Sequence, residues 1–152
     1  MKIDPQRAPT RTGCNYPAPF DAPCHDRKRI RLGEAAGLTQ FGVNILHLQP
    51  GTWSSQRHWH TREDEFIHVL AGEVVLVTDA GEQVLRAGDS AGFPHNVANG
   101  HHLQNRSAHE AIVMEIGSDD PEDIAEYPDI DMRATPAGFV HKDGAPYPKR
   151  PA

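Results

Sequence analysis

Between Gly51 and Gly72 the chain reads GTWSSQRHWHTREDEFIHVLAG, with two histidines one residue apart, His58 and His60, and a carboxylate at Glu65. This spacing constrains the fold more than any other feature, because it gathers ligands when the chain is extended. In a strand, residues i and i+2 project from one face, so His58 and His60 point the same way while Trp59 points oppositely. A short polar turn, Thr61 to Asp64, brings the next strand back so that Glu65 adds an oxygen to the two nitrogens. Such a mixed set suits iron, manganese, nickel, zinc or copper better than calcium or magnesium.

The flanking chain reads as strand, turn, strand from about Leu38 to Gly117. Phe41 to Leu48 and Glu65 to Leu70 are apolar-rich runs, Glu73 to Thr78 follows, and Asp79-Ala80-Gly81 is a hairpin-type turn. Gln83 to Arg86 returns antiparallel, Gly88-Asp89 turns again, and Ala91 to Pro94, His101 to Asn105 and Ala111 to Ile116 complete the set. Short strands at close spacing, with no long segment of 3.6 period, predict an all-β sandwich or barrel. Three regions follow: an irregular N-terminal arm over 1–30, the barrel over 31–117, and a C-terminal strap over 118–152 that packs on the barrel and is mobile at its end.

At 152 residues the chain fits one domain with a core of its own. Its formal charge of −6 and the lack of a dominant basic face predict no nucleic-acid partner. Apolar runs such as Val74 to Val77 fall far short of the roughly 20 residues that span a bilayer, so the expected state is soluble, cytoplasmic and free of membrane. Cys14 and Cys24 lie in a proline-rich stretch without CxxC spacing and read as reduced thiols.

Other polar residues carry weaker signals. His68 falls on the outer face by alternation, and His47 shares the face of Val43 and Ile45, as a core histidine would. His95, after Pro94, is the candidate catalytic acid or base at the barrel mouth. Arg57, next to the first ligand, is a candidate substrate contact. Arg27-Lys28-Arg29 with Arg31 reads as a solvated edge strand, with a phosphate or carboxylate handle as the alternative.

With these residues placed, the chain resembles the cupins. Their first motif, G(X)5HXH(X)3,4E(X)6G, is matched by Gly51, His58, His60, Glu65 and Gly72, with six residues before the first histidine in place of five. Of the second, G(X)5PXG(X)2H(X)3N, Gly88 and Pro94 hold the start and His101 and Asn105 the end, with Asn96 where the family has glycine and two additional residues before His101. Asn tolerates positive φ, so the turn survives the exchange. The resemblance implies a double-stranded β-helix, jelly-roll-like barrel holding one divalent transition metal (Fe, Mn, Zn or Ni) on His58, His60, Glu65 and His101. Leu103 and Asn105 share a face with His101, and Asn105 becomes a second candidate substrate contact. His102 is the rival fourth ligand, because a slip of one residue reverses every side chain.

LTQFGVN, GHHLQNRS, YPDID and HKDGAPY are similar to segments of single-domain bacterial cupins labelled sugar-phosphate isomerases. The implied function is that of a metal-dependent enzyme on a small polar or anionic metabolite, led by carbohydrate or sugar-phosphate isomerisation or epimerisation. A non-haem iron dioxygenase and a non-catalytic small-molecule-binding cupin are the alternatives. Family habit also implies a homodimer.

Overall fold

Leu46 and Leu48 are fully buried while Ile45 and His47, between and before them, are only half-buried, and this alternation along one strand organises the barrel. The computed structural model describes residues 1–149; residues 150–152, the end of the expected strap, lie outside the described residues. The strands are β1 (Thr10–Thr12), β2 (Lys28–Arg31), β3 (Phe41–Leu48), β4 (Trp59–His60), β5 (Glu65–Ala71), β6 (Glu73–Thr78), β7 (Gly81–Arg86), β8 (Ser90–Phe93), β9 (His102–Gln104), β10 (Ala111–Ser118), β11 (Ala125–Tyr127), β12 (Met132–Thr135) and β13 (Gly138–Val140). One turn of helix, α1 (Leu32–Ala35), joins β2 to β3. No helix among the described residues is long and apolar enough to cross a membrane.

A six-stranded sheet runs in the order β1-β2-β3-β10-β5-β8 and faces a three-stranded sheet, β7-β6-β9. Their inner faces interdigitate, Leu46, Leu48, Ile67, Val69 and Val113 from the first against Val74, Leu76, Leu85 and Leu103 from the second. Burial of this kind contributes about 1.5–3 kcal/mol for each large aliphatic side chain, so these layers dominate the stability. All named pairings are antiparallel, and β10 keeps eight-residue register with β3 from Ala111↔Leu48 to Ser118↔Phe41. Gly72 closes the β5–β6 turn at φ 74°, where a Cβ would stand 2.7 Å from the Glu110 carbonyl oxygen, so only glycine fits. Asn96 takes φ 56°, the left-handed conformation expected of it where the motif carries glycine.

Among the described residues, the arm and the strap hold more regular structure than their sequences predict. The arm expected to be irregular through residue 30 supplies β1 and β2 to the large sheet, with Thr10↔Ile30, Arg11↔Arg29 and Thr12↔Lys28 paired. The expected strap contributes β11, β12 and β13 to a sheet that β4 completes, and Ala125, Tyr127 and Met132 from it join Tyr16 and Cys24 from the arm in a second core. Each segment offers only two or three apolar residues, too few to read as periodic; the core exists because both ends meet. Cys14 and Cys24 form no disulfide, and Cys24 is fully buried.

That second core carries a pH signature. Burial raises the Tyr16 phenol to about 12 and holds Tyr127 well above its ordinary range, and the Tyr127 hydroxyl donates to the Tyr16 oxygen at 3.4 Å. Because the folded value lies above the unfolded value of about 10, this contribution is complete below pH 10 and is lost as pH rises through about 12. The gap corresponds to about 3 kcal/mol for Tyr16. In an alkaline titration, tyrosinate absorbance of these two residues is expected to rise only together with loss of near-ultraviolet circular dichroism; ionisation at pH 10 in a still-folded protein would contradict it.

Candidate metal centre

Three separate pieces of chain bring the candidate ligands together. His58 and His101 face each other across an isolated antiparallel bridge, each backbone N–H donating to the other's carbonyl at 3.1 and 2.8 Å. His60 lies on β4 and Glu65 opens β5. Glu65 Oε2 stands 2.7 Å from His101 Nε2 and 3.4 Å from the Nε2 atoms of both His58 and His60. The ligand atoms of His58, His60 and Glu65 all lie within 4.8 Å of one another, and His101 meets them through the glutamate.

The far sides of the rings fix which nitrogen is free. His58 Nδ1 is 2.9 Å from the Gln56 carbonyl oxygen, and His60 Nδ1 is 2.6 Å from Asp123 Oδ2. Both partners are acceptors, so both Nδ1 atoms carry the proton and both Nε2 lone pairs face the Glu65 oxygen. Lone pairs aimed at a carboxylate call for a cation between them, either a proton or a metal ion. The titration of the group agrees. Burial opposes charge on His60, but its hydrogen bond and charge interaction with Glu65, followed by those with Asp123, outweigh burial and raise it to about 9. Burial likewise works against the Glu65 anion, yet hydrogen bonds from His101, His58 and His60 hold it well below the usual carboxylate range. Burial lowers His101, whose ring stacks on Phe93 at 3.6 Å and whose Nδ1 has no hydrogen-bond partner among the described residues. Three imidazoles and one carboxylate converging in this way fit a divalent transition ion, which His58, His60, Glu65 and His101 would hold.

His102 faces elsewhere: its Nδ1 donates to the Ser55 carbonyl at 2.9 Å and its ring packs edge-on against Trp53. It is nevertheless buried, in contact with Trp53, Ser55 and Gln104. His47 is no core histidine; it pairs with Glu110 at 3.2 Å, because Leu46 and Leu48 take the inner face of β3. His68 lies on the outer face, 2.8 Å from Ser90 Oγ.

Three residues expected to contact substrate are engaged outside the cavity. His95, the catalytic candidate, is exposed and held by Asp64 at 2.8 Å, because the lengthened loop after Pro94 swings it to the rim. Arg57 braces loops: it forks onto Asp129 at 2.8 and 2.7 Å, also bonds Asp79, and donates to the Gly100 carbonyl. Asn105 is 1% exposed and gives both amide hydrogens to backbone, the Leu48 and His109 carbonyls at 2.8 and 2.7 Å. The side chains that do line the cavity include two that spacing could not reveal, Glu63 and Asp123. Asp123 accepts from the Arg62 N–H at 2.8 Å as well as binding His60, and it arrives there only because Ala125 of β11 pairs with His60. Glu63 accepts from the Asp120 N–H at 2.9 Å and stands 3.7 Å from His60 Nδ1; burial raises its carboxyl above the ordinary value.

A cavity of about 270 Å³ opens over the centre, walled by Ser55, Glu63, Phe66, Phe93, Asn44 and Glu115. A second, of about 390 Å³, shares His58, Glu63 and Glu65 with it and extends past Asp123 to Tyr127.

The cupin domain model matches residues 44–117. Among solved structures, a protein from Silicibacter pomeroyi DSS-3, named as a sugar phosphate isomerase from a cupin superfamily, is 41% identical, with 97% of each chain covered and a TM-score of 0.91. A candidate sugar phosphate isomerase from Acidithiobacillus ferrooxidans is 26% identical over 81% of this chain and 82% of its own, with a TM-score of 0.70. A predicted oxalate decarboxylase from Thermotoga maritima, 17% identical over 78% of this chain and 98% of its own at a TM-score of 0.63, shares the fold alone. Among curated proteins, none matches. The barrel, the clustered histidines with Glu65 and the near full-length likeness to the first of these structures place the chain in the cupin superfamily.

Proposed function

We propose that the protein is a metal-dependent isomerase or epimerase of a small carbohydrate or its phosphate ester, with His58, His60, Glu65 and His101 holding one manganese, zinc, nickel or iron ion. The observation that carries this reading is Glu63, a carboxylate outside the set His58, His60, Glu65 and His101, on the wall of both cavities beside that cluster; with His60 and Asp123 it also forms a second group at ligand spacing, whose occupation by the ion would remove Glu63 as the base. An ion held there would polarise a substrate carbonyl and acidify the adjacent C–H bond. Glu63 would take that proton and return it to the neighbouring carbon on the same face, and its raised carboxyl value suits it to both steps. Polar walls such as Asn44, Ser55 and Glu115 suit a hydroxylated substrate better than the dry pocket that dioxygen chemistry requires.

The test is proton exchange. Metal-loaded protein in deuterium oxide, given a panel of aldoses, ketoses and their phosphate esters, is expected to replace the proton α to the carbonyl of at least one of them, read by proton magnetic resonance. Glu63→Gln is expected to slow that exchange by about 100-fold or more while the metal content stays that of the parent. Substrate-dependent oxygen uptake in place of exchange would establish the dioxygenase, and neither activity would leave the binding module.

We also propose that the protein works as a homodimer in the cytoplasm. Supporting the dimer, the outer face of the six-stranded sheet sets Met114 beside Ile45 and His68, and Ile116 beside Phe66, in direct cross-strand register. Phe66 and Leu70 on that face are each 43% exposed, and neither belongs to either core. An apolar sheet face of this kind is typical of a covered surface. Leu70→Glu is expected to convert a dimer to a monomer in light scattering without loss of metal; a parent that is already monomeric would remove the proposal.

A further inference from the structure

Beside the metal cavity lies a further pocket, of about 570 Å³, whose wall carries three guanidiniums: Arg11, Arg29 and Arg31. The two pockets share Arg29, Gly42, Asn44 and Asp119, so one ligand can reach from one into the other. We propose that this groove is a phosphate-monoester subsite, in which Arg11 and Arg31 grip the phosphate of a substrate whose sugar carbon chain lies over the metal centre. The proposal rests on the carbohydrate reading above and adds to it the site of the charged group.

The arrangement of the arginines is the main argument. Arg11 of β1 is the direct cross-strand partner of Arg29 of β2, and Arg31 follows two residues on, so all three stand on one face of the ladder. Like charges directly opposite each other destabilise a sheet pair. Arg29 is relieved by Glu115, which it engages with two parallel bonds of 2.8 and 3.0 Å from Nε and Nη2. Arg31 is partly relieved by Glu34, one nitrogen at 2.7 Å, with both side chains about half-exposed. Arg11 has neither an ion pair nor a side-chain hydrogen bond among the described residues. Its free planar fork is the donor geometry that phosphate oxygens accept.

Protection of a sheet edge does not account for the cluster, because β2 lies between β1 and β3 and only Arg11 is on the edge strand. Of the groove's three arginines, Arg29 is matched by Glu115 and Arg31 by Glu34, and Asp119 is the other carboxylate of its lining, so Arg11 is the guanidinium whose fork is left for a ligand. The metal-side wall is different: Glu63, Glu65 and Glu115 line it with carboxylates. A sugar phosphate has the same division, with hydroxyls that donate to carboxylates at one end and a dianion at the other.

The probe is inorganic phosphate, titrated calorimetrically into the full-length, metal-loaded protein at low ionic strength, with acetate as the control anion. The parent is expected to bind phosphate at least tenfold more tightly than acetate. Arg11→Gln/Arg31→Gln is expected to weaken phosphate binding at least tenfold at unchanged metal content, which separates the groove from phosphate sitting on the ion. Without phosphate, Arg11→Gln alone is expected to melt no lower than the parent, since it removes a repulsion, and phosphate is expected to raise the parent's melting temperature but not that of the double variant. Unchanged phosphate affinity in the double variant, acetate bound as tightly as phosphate, or no binding by the parent would each overturn the subsite. Proton exchange on unphosphorylated sugars is independent of these titrations, so the isomerase reading can stand if the groove fails, and the groove can stand if exchange fails.

Discussion

His60→Ala is expected to lose metal affinity by about 500-fold and to keep its fold. Four ligands share a binding free energy of about 10–16 kcal/mol in structural zinc sites, so one of them accounts for about 3–4 kcal/mol, at 1.4 kcal/mol per tenfold. The fold survives because the main core, from Leu46 to Val113, contains none of the ligands. Competition with a chromophoric chelator measures the affinity, and thermal melting of the metal-free forms measures the fold. Asp123→Ala makes a useful companion. Its carboxylate orients the His60 ring through the 2.6 Å bond to Nδ1, so its loss is expected to cost about 10- to 100-fold, less than loss of the ligand. Parental affinity in His60→Ala would remove His60 from the centre; an Asp123→Ala defect larger than that of His60→Ala would mean that Asp123 itself binds the ion.

The second large effect concerns stability and sits at a residue first expected to touch substrate. Asn105→Ala is expected to cost about 3 kcal/mol and to lower the melting temperature by about 6–12 °C. Asn105 is a hub between two loops: besides its two bonds to the Leu48 and His109 carbonyls, its Oδ1 accepts from the Ser107 N–H at 3.0 Å and hydroxyl at 2.8 Å. Alanine leaves the buried Leu48 carbonyl without this donor, which is more costly than the loss of a bond in water. Metal affinity of the folded variant is expected to equal that of the parent, because Asn105 touches none of the four ligands. A normal melting temperature with weakened substrate binding would restore the substrate-contact role.

Residues close together in sequence were legible wherever the backbone alone governs their geometry. A two-residue period puts His58 and His60 on one face, and a short turn returns Glu65 to them; the β3, β5, β6 and β7 runs announce themselves by composition, and Asn96 tolerates the conformation its turn demands. These are local consequences of strand alternation and of φ preferences. Tertiary structure decided the rest. It turned His101, and not His102, toward Glu65 by the register of a single bridge to His58, which no count of residues along the chain specifies. It drew Asp123 to His60 through the β11–β4 pairing, and it set Arg11 opposite Arg29 through β1 and β2, segments too short to show periodicity. It turned Arg57 and His95 outward, because each found a carboxylate on a neighbouring loop, Asp129 and Asp64. Side chains that are tied by charge or hydrogen bonds across dozens of residues depend on which loops meet, and that is settled only when the whole barrel has closed.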